Sequence, residues 1–172
     1  MTCEGSSPGS HRWRFDEMIK TTYALLVLVF STGALASEND PAGAKVHEYF
    51  ELFNARDVQT IAHEIYSSPV HIGGGTGHSV YADPSAAIES LNSFYGQLDE
   101  QGWKASVIDH LEICQLSDTL ALVDTRFSRV TGDGEPIPPA LRTTLYVVQV
   151  IDGAWRIVAF YSHDADKRPS CN

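Results

Sequence analysis

The apolar positions of this chain follow a helical period in the first half of the sequence and a strand period in the second half. Four apolar side chains are spaced i, i+3, i+4 and i+7, as on one face of an amphipathic helix: Val46, Tyr49, Phe50 and Phe53. Asp40-Pro41 stands just before them and can supply the N-cap and the first helical residue. The pattern therefore predicts a first helix that begins at Pro41 and ends near Arg56.

Two further helices are predicted downstream. Asp57 can cap a short second helix that closes around Tyr66, before the Ser67-Ser68-Pro69 breaker. Asp83-Pro84 can again supply an N-cap and a first helical residue, and apolar residues at helical spacing follow this pair. This third helix is predicted to be the longest and to end at Gly102.

From Trp103 onward the apolar pattern changes to period two, which is typical of strands. Segments rich in Val, Ile, Thr and aromatic residues predict four long strands at 105–115, 119–131, 141–151 and 154–163. A short strand, 70–72, lies between the second and third helices, and the glycine run 73–77 is predicted to be a turn. The order predicts an α+β fold: a curved, cone-shaped antiparallel sheet of four long strands plus a short one, wrapped around three N-terminal helices.

The N-terminal part of the sequence has the pattern of an export signal. Lys20 precedes an apolar run of about ten residues, and Ala34-Leu35-Ala36 is a small-x-small cleavage site, so we expect a signal peptide at 18–36. The polar segment 1–17 does not fit this pattern, and Met18 is predicted to be the true start. We expect a periplasmic or secreted protein whose single domain spans 37–172. The alternative is a cytosolic protein with a partly apolar N-terminus.

Charge limits the partners that we expect. The chain carries 22 acidic and 12 basic side chains, a net charge of −10, and no basic stripe interrupts the acidic composition. Phosphate backbones and anionic membranes are repelled by such a surface, so nucleic acid is not an expected partner. The apolar run is too short to span a bilayer, so no membrane anchor is expected after signal cleavage. Cys114 and Cys171 would remain in an oxidising compartment, where a disulfide is permitted but not indicated.

Three sequence segments resemble the nuclear transport factor 2-like superfamily, and within it the SnoaL-like and ketosteroid isomerase-like domains. The segment 49–57, Tyr-Phe-Glu-Leu-Phe-Asn-Ala-Arg-Asp, is similar to the junction of the superfamily's first two helices. The segments 116–123 and 152–157 are similar to its final hairpins. The resemblance covers roughly 41–164 and implies a cone with an apolar pocket open at one end. It specifies a fold and not a reaction, because members range from isomerases to binding modules.

Ketosteroid isomerase chemistry is only partly encoded here. The resemblance places Tyr49 at the position of the tyrosine that donates to the enolate oxygen. The position of the carboxylate base falls on or near Gly73, and the strand 141–151, where the second donor acid would lie, contains no Asp or Glu. The steroid isomerase mechanism is therefore not expected in its complete form.

His71 is the strongest candidate for a catalytic group. By period-two alternation it shares a face with Gly73, and we expect it to point toward the cavity, where a neutral imidazole could act as a general base. The alternative is a half-buried histidine that hydrogen-bonds to a loop. Asp124 and Arg126 share a face of their strand and could orient His71 or bind a polar group, or they could form a solvated pair on the outer face.

Aromatic side chains with polar tips could line a ligand pocket, although filling of the core explains them equally well. The candidates, with one histidine at the predicted rim, are Tyr66, Tyr95, Trp103, Tyr146, Tyr161 and His163. His163 could also couple with Asp164 as an acid/base pair. No metal ligand set is expected, since His47-Glu48 and His63-Glu64 lack the second histidine of a zinc helix. No cofactor is expected either.

Three functions remain open from the sequence. The first is an exported domain that binds a small, mostly apolar molecule. The second is a cofactor-free isomerase, lyase or cyclase in which His71 takes a proton, Tyr49 donates to the oxyanion, and Asp124 with Arg126 orients the base. The third is a non-catalytic dimerisation or assembly module. A homodimer is expected in any case, because both faces of the last strand carry aromatic residues.

Overall fold

The computed structural model describes residues 40–75, 77–169 and 171. The predicted signal peptide at 18–36 and the segment 1–17 lie outside the described residues. Among the described helices, none has the length and hydropathy needed to cross a bilayer.

The helices begin where the sequence predicts. Helix α1 spans Pro41–Ala55, and the Asp40 carboxylate accepts from the backbone N–H groups of Ala42 and Gly43. Helix α2 spans Val58–Thr60 and continues directly into a π-helical turn, Ile61–Ile65. Helix α3 spans Pro84–Glu100 and is capped by the Asp83 carboxylate. Each carboxylate satisfies N–H groups that have no partner within the helix, which is why each helix starts at its proline.

Six strands form one mixed sheet in the order β2-β1-β6-β5-β4-β3. The elements are β1 at Tyr66–Gly74, β2 at Gly77–Tyr81, β3 at Trp103–Ser117, β4 at Leu120–Thr131, β5 at Arg142–Ile151 and β6 at Ala154–Ser162. Four neighbouring pairs are antiparallel, and β1 runs parallel to β6. The predicted α+β cone is confirmed.

Two details of the sheet differ from the sequence prediction. The sheet is not wholly antiparallel, because the first strand, predicted at 70–72 and observed at Tyr66–Gly74, joins β6 in parallel register, with His71 opposite Ala159. The glycine run is not only a turn: Gly73 and Gly74 pair with His78 and Gly77, which adds β2 as a sixth strand. Glycine at position 74 allows this tight return, since its φ is +150°.

The helices cover one face of the sheet, which we call the inner face. Because side chains alternate between the two faces of a strand, every second residue points to the inner face. The buried side chains on this face are Val70, Ala121, Val123, Phe127, Tyr146, Val148 and Ile157. They pack against Val46, Phe50 and Phe53 of α1. Asn54 fixes α1 to β3, because its side-chain amide donates to the Ser106 carbonyl over 2.9 Å and accepts from the Ser106 N–H over 2.8 Å. The opposite side of the sheet is the outer face.

The segment after β6 crosses the outer face. His163 contacts Asp124 of β4, and Cys171 forms a disulfide with Cys114 of β3, with Cα atoms 5.4 Å apart. This Cα separation lies within the range that a disulfide requires. We call residues 163–169 and 171 the C-terminal strap. Since both β4 and β3 are contacted, the strap covers part of the outer face and buries Asp124, which is 2% exposed.

Candidate functional site

A cavity of about 410 Å³ opens between the helices and the inner face of the sheet. Its apolar wall consists mainly of aromatic rings from α1, α3, β4 and β5: Tyr49, Phe50, Phe53, Phe94, Phe127 and Tyr146. The polar part of the lining lies at the end where β5 begins and β6 ends: Arg142, Thr143, Thr144, Ser162 and His163. Ser106 and Arg129 complete it from β3 and β4. The cavity volume lies in the usual range of small-molecule sites.

Arg129 brings a charged group into this aromatic cavity. Its guanidinium carbon lies 5.0 Å from the ring centroid of Phe94 and 5.7 Å from that of Phe127, which is cation–π geometry. Within the described residues its Nε is buried without a hydrogen-bond partner. Burial, followed by repulsion from Arg142, lowers the pKa of Arg129 from its ordinary value. Arginine titrates far above neutral pH, so the group stays charged.

Arg142 has a different environment, because its guanidinium is already used by the loop that precedes β5. It donates to the carbonyl oxygens of Ile137 and Pro138 over 3.0 Å and 2.9 Å, and also to that of Pro139. Arg142 therefore holds the loop 132–141 against the cavity.

Tyr49 is a neutral hydrogen-bond donor in this site. Burial raises the pKa of Tyr49 to about 12 and raises the pKa of Tyr146 well above its ordinary value. Neither phenol is ionised near neutral pH as a consequence. A buried, neutral phenol can donate a hydrogen bond to a ligand, but it cannot serve as a base.

His163 borders the cavity with both ring nitrogens engaged. Nε2 lies 2.7 Å from the Asp124 carboxylate, and Nδ1 lies 3.0 Å from the Asp164 carbonyl oxygen. A carbonyl oxygen accepts and a carboxylate accepts, so this arrangement favours a ring that carries a proton on both nitrogens. Partial burial opposes this charge, but the hydrogen bonds to Asp124 and Asp164 outweigh it and raise the pKa of His163. The partner of the imidazolium is the Asp124 carboxylate, whereas Asp164 contributes its backbone oxygen.

The predicted catalytic residues do not converge on the cavity. Tyr49 lines it, but His71 is exposed on the outer face and stacks on His78 with 5.8 Å between ring centroids. The expectation that His71 points toward the cavity is therefore corrected. Val70 fills the core at this point, and alternation turns the next residue outward.

Asp124 and Arg126 also lie on the outer face of the sheet. They are not a solvated pair: Asp124 is buried under the C-terminal strap and bonds to His163, while Arg126 is partly buried with its Nε unpartnered among the described residues. Asp124 therefore orients His163 and not His71. Sequence alternation placed the two residues on one face, but it could not reveal the strap that covers Asp124.

The predicted pocket residues divide into three groups. Tyr146 and His163 line the cavity. Tyr66, Tyr95 and Trp103 are buried in the core and do not appear in its wall, and the Tyr95 hydroxyl donates to the Phe53 carbonyl oxygen over 2.7 Å. Tyr161 lies on the outer face and is 39% exposed. Within the described residues, no group of three or more His, Cys, Asp and Glu could hold a metal ion.

Sequence reasoning missed Arg129 and Arg142. A signal for Arg129 was present, because it continues the alternation of the buried residues Val123, Thr125 and Phe127. An arginine in register with a core face is unusual, since charged side chains are rarely buried without a partner. No comparable signal existed for Arg142, which follows a proline-rich loop of unpredictable path.

Known proteins share this fold. The chain is similar to a solved NTF2-like protein from Novosphingobium aromaticivorans, with 12% identity and a TM-score of 0.58 over 74% of this chain and 82% of that one. A protein with a cystatin-like fold from Caulobacter vibrioides matches with 18% identity and a TM-score of 0.57 over 74% and 90%. A ketosteroid isomerase-like protein from Erwinia carotovora atroseptica matches with 18% identity and a TM-score of 0.52 over 71% and 92%.

These identities are low, so the structural matches establish the fold alone. No curated protein matches the chain. The family model described as NTF2-like protein (DUF6841) matches residues 38–165, which include every described helix and strand. The chain therefore belongs to this NTF2-like family.

Proposed function

We propose that this protein binds a small, mostly apolar molecule in the aromatic cavity without transforming it. The observation that carries the proposal is the lining: six aromatic rings and a few polar groups surround about 410 Å³. Apolar walls with a few placed polar groups are the usual composition of small-molecule sites. The NTF2-like fold supports the same conclusion, because it surrounds an inner cavity with a curved sheet.

The isomerase alternative has less support from the same residues. It needs a base close to Tyr49, and His71 lies on the other face of the sheet. Both ring nitrogens of His163, at the rim, lie against Asp124 and the Asp164 carbonyl oxygen, so neither is directed at a ligand beside Tyr49. The described lining contains no Asp or Glu.

Native mass spectrometry of the protein purified from its own source tests the binding proposal. A retained small molecule is expected, and Leu141→Trp should remove it, because Leu141 lies at the partly exposed edge of the cavity. Leu116→Trp is the matched control outside the cavity lining, where Leu116 is 56% exposed. If no ligand is retained and aromatic compounds leave the melting temperature unchanged, binding in this cavity is refuted.

We propose that the protein acts in the periplasm or outside the cell. The export pattern at 18–36 supports this location, and so does the Cys114–Cys171 disulfide, since disulfides persist in oxidising compartments. Intact mass of the exported protein should give Ser37 as the first residue. Ala36→Leu should block cleavage and leave a heavier, membrane-associated precursor.

We also propose that two copies pair through the outer face of the sheet. Large hydrophobic side chains with high exposure support this: Val80, Val107, Leu116 and Tyr161. Strand register assigns Val80, Val107 and Tyr161 to the outer face, since they pair with His71, Ser128 and Leu145. Leu116 lies at a register shift near the end of β3. Exposed large hydrophobic side chains on one face of a sheet often mark a protein interface, and here they lie on both edge strands, β2 and β3, and on β6 between them.

A further inference from the structure

The charge of the cavity is opposite to the charge of the chain. The whole sequence has 22 acidic and 12 basic side chains. The residues that line the cavity nevertheless include Arg129, Arg142 and, at the rim, His163, whose ring is turned to Asp124, and they include no Asp or Glu. In so acidic a chain, a cavity whose charged lining residues are all basic indicates that its ligand carries a negative charge.

Two of these three cations are already satisfied. Arg142 donates to three loop carbonyl oxygens, and His163 is paired with Asp124. For Arg129 the described residues offer no ion pair and no hydrogen bond, only the faces of Phe94 and Phe127. A cation that is largely removed from water is costly unless a partner compensates it.

A guanidinium without a bound anion, next to aromatic walls, favours a ligand that combines an apolar body with an anionic group. An aromatic or other flat apolar body would fill the space between Phe50, Phe53 and Phe94, and a planar anion would accept from the guanidinium fork. Carboxylate geometry matches this fork, since arginine presents parallel N–H donors. The hydroxyl groups of Tyr49 and Ser106 lie in the same lining and can donate to the remaining oxygen positions.

We propose that the cavity binds a small aromatic or polycyclic carboxylate, with the carboxylate on Arg129. This inference rests on the proposed binding function and specifies its ligand class. The anion supplies the partner that Arg129 lacks, and the aromatic wall supplies the apolar contact area. Arg129 is thus the residue that sets specificity for charge.

Isosteric probes of different charge test the assignment. Benzene, naphthalene and biphenyl are each used as the carboxylate, the neutral carboxamide and the cationic carboxamidine, and binding is measured by calorimetry. A charge-assisted hydrogen bond contributes roughly 10- to 150-fold in affinity, so the carboxylate should bind at least about tenfold more tightly than the carboxamide. The carboxamidine should bind most weakly.

Variants of Arg129 separate charge from shape. Arg129→Gln should remove the preference for carboxylate, and Arg129→Lys should restore part of it, because lysine keeps the charge without the planar fork. Arg168→Gln is the matched control: it makes the same charge change in the exposed strap. Circular dichroism spectra and melting curves establish that each variant is folded.

The outcomes distinguish the two levels of the proposal. If no skeleton binds in any charge state, the binding function itself fails and the ligand class fails with it. If carboxamides bind as tightly as carboxylates, or if folded Arg129→Gln keeps the preference, the cavity binds ligands but the assignment to Arg129 is wrong. A carboxylate preference that disappears in Arg129→Gln and persists in Arg168→Gln supports it.

Discussion

Gly73 shows how one missing side chain permits a tertiary contact. A Cβ at this position would overlap the ring of Tyr161, lying 2.7 Å from its Cε1 atom, while the φ of Gly73 is outside the left-handed region. The glycine is required by space and not by backbone conformation. It allows the Tyr161 ring to contact β1 directly on the outer face.

Gly73→Ala should therefore lower the free energy of unfolding by about 1–3 kcal/mol, the usual cost of an added methyl group in a filled space. Urea denaturation measures the change. In a Tyr161→Ala background the same substitution should be nearly neutral, because the overlapping ring is absent. Equal costs in both backgrounds would show that Tyr161 is not the obstacle.

Gly96 gives the matched control for this substitution. It lies in the interior of α3, is exposed, and has open space where a Cβ would be placed. Gly96→Ala should raise the free energy of unfolding by about 0.5–1 kcal/mol, since alanine favours the helix. The same chemical change thus has opposite signs at the two positions, for reasons that the structure provides.

The His163 imidazolium predicts a pH dependence of stability. Its pKa is raised in the folded state above the ordinary value of 6.5. The folded protein therefore holds this proton more tightly than the unfolded chain, and the stabilisation is complete below pH 6.5 and is lost as the pH rises through the raised value. Asp124 is the charged group that contacts the ring, whereas Asp164 and Lys167 act on it through their backbones.

Urea unfolding at several pH values from about 5.5 to 9 tests this expectation, a range that spans the ordinary and the raised histidine pKa. The free energy of unfolding of the wild-type protein should fall across this interval relative to that of His163→Gln, so that the two curves converge at high pH. Parallel curves would show that His163 carries no additional proton in the folded state.

At the scale of elements, features that depend on neighbouring residues can be predicted from the sequence, and the pairing of distant strands cannot. The two Asp-Pro pairs placed the starts of α1 and α3 correctly, because capping depends only on neighbouring residues. The four long strands were found within a few residues of their observed ends. The parallel pairing of β1 with β6 joins segments that are far apart in the sequence, and no local pattern encodes such a contact.

The candidate site was less predictable than the fold, for a related reason. Alternation showed that His71 and Gly73 share a face and that Asp124 and Arg126 share another, but it did not show which face is inner. That assignment depends on where Val70 and Val123 pack, which is a tertiary fact. Register shifts at bulges in β1, β3 and β6 add to the uncertainty of any assignment based on period two.

The C-terminal strap is held at two points, His163 at its start and Cys171 at its end. The disulfide joins residues 57 positions apart and restricts the unfolded chain as well as fixing the strap. Cys171→Ser should therefore lower the free energy of unfolding by about 2–4 kcal/mol. The wild-type protein should lose a similar amount when a thiol reductant is added.

The reductant provides the internal control for this prediction. Cys171→Ser has no disulfide to lose, so its stability should be the same with and without reductant. If the oxidised wild type and Cys171→Ser unfold at the same denaturant concentration, the disulfide contributes nothing to stability. Asp124 should also become more accessible in the variant, since the strap that covers it is tied at one end only.

At the scale of the whole molecule, net charge and exposed apolar surface act against each other. Two copies that each carry a net charge of −10 repel one another, and this repulsion is screened by salt. The attraction between outer faces comes from apolar side chains and is not weakened by screening. A dimer formed in this way should therefore become stronger as salt is added, which is the reverse of an interface built from ion pairs.

Sedimentation velocity at about 0.05 and 0.5 M salt, where the screening length falls severalfold, should show a larger dimer fraction at the higher concentration. Val107→Lys together with Tyr161→Lys should give a monomer at both, because it adds charge to the outer face through which the copies are proposed to pair. Asn92→Lys together with Gln97→Lys, on the exposed side of α3, adds the same charge away from the outer face and should dimerise at least as well as the wild type. A monomeric wild type at both salt concentrations would mean that these side chains face solvent and that no second copy covers them.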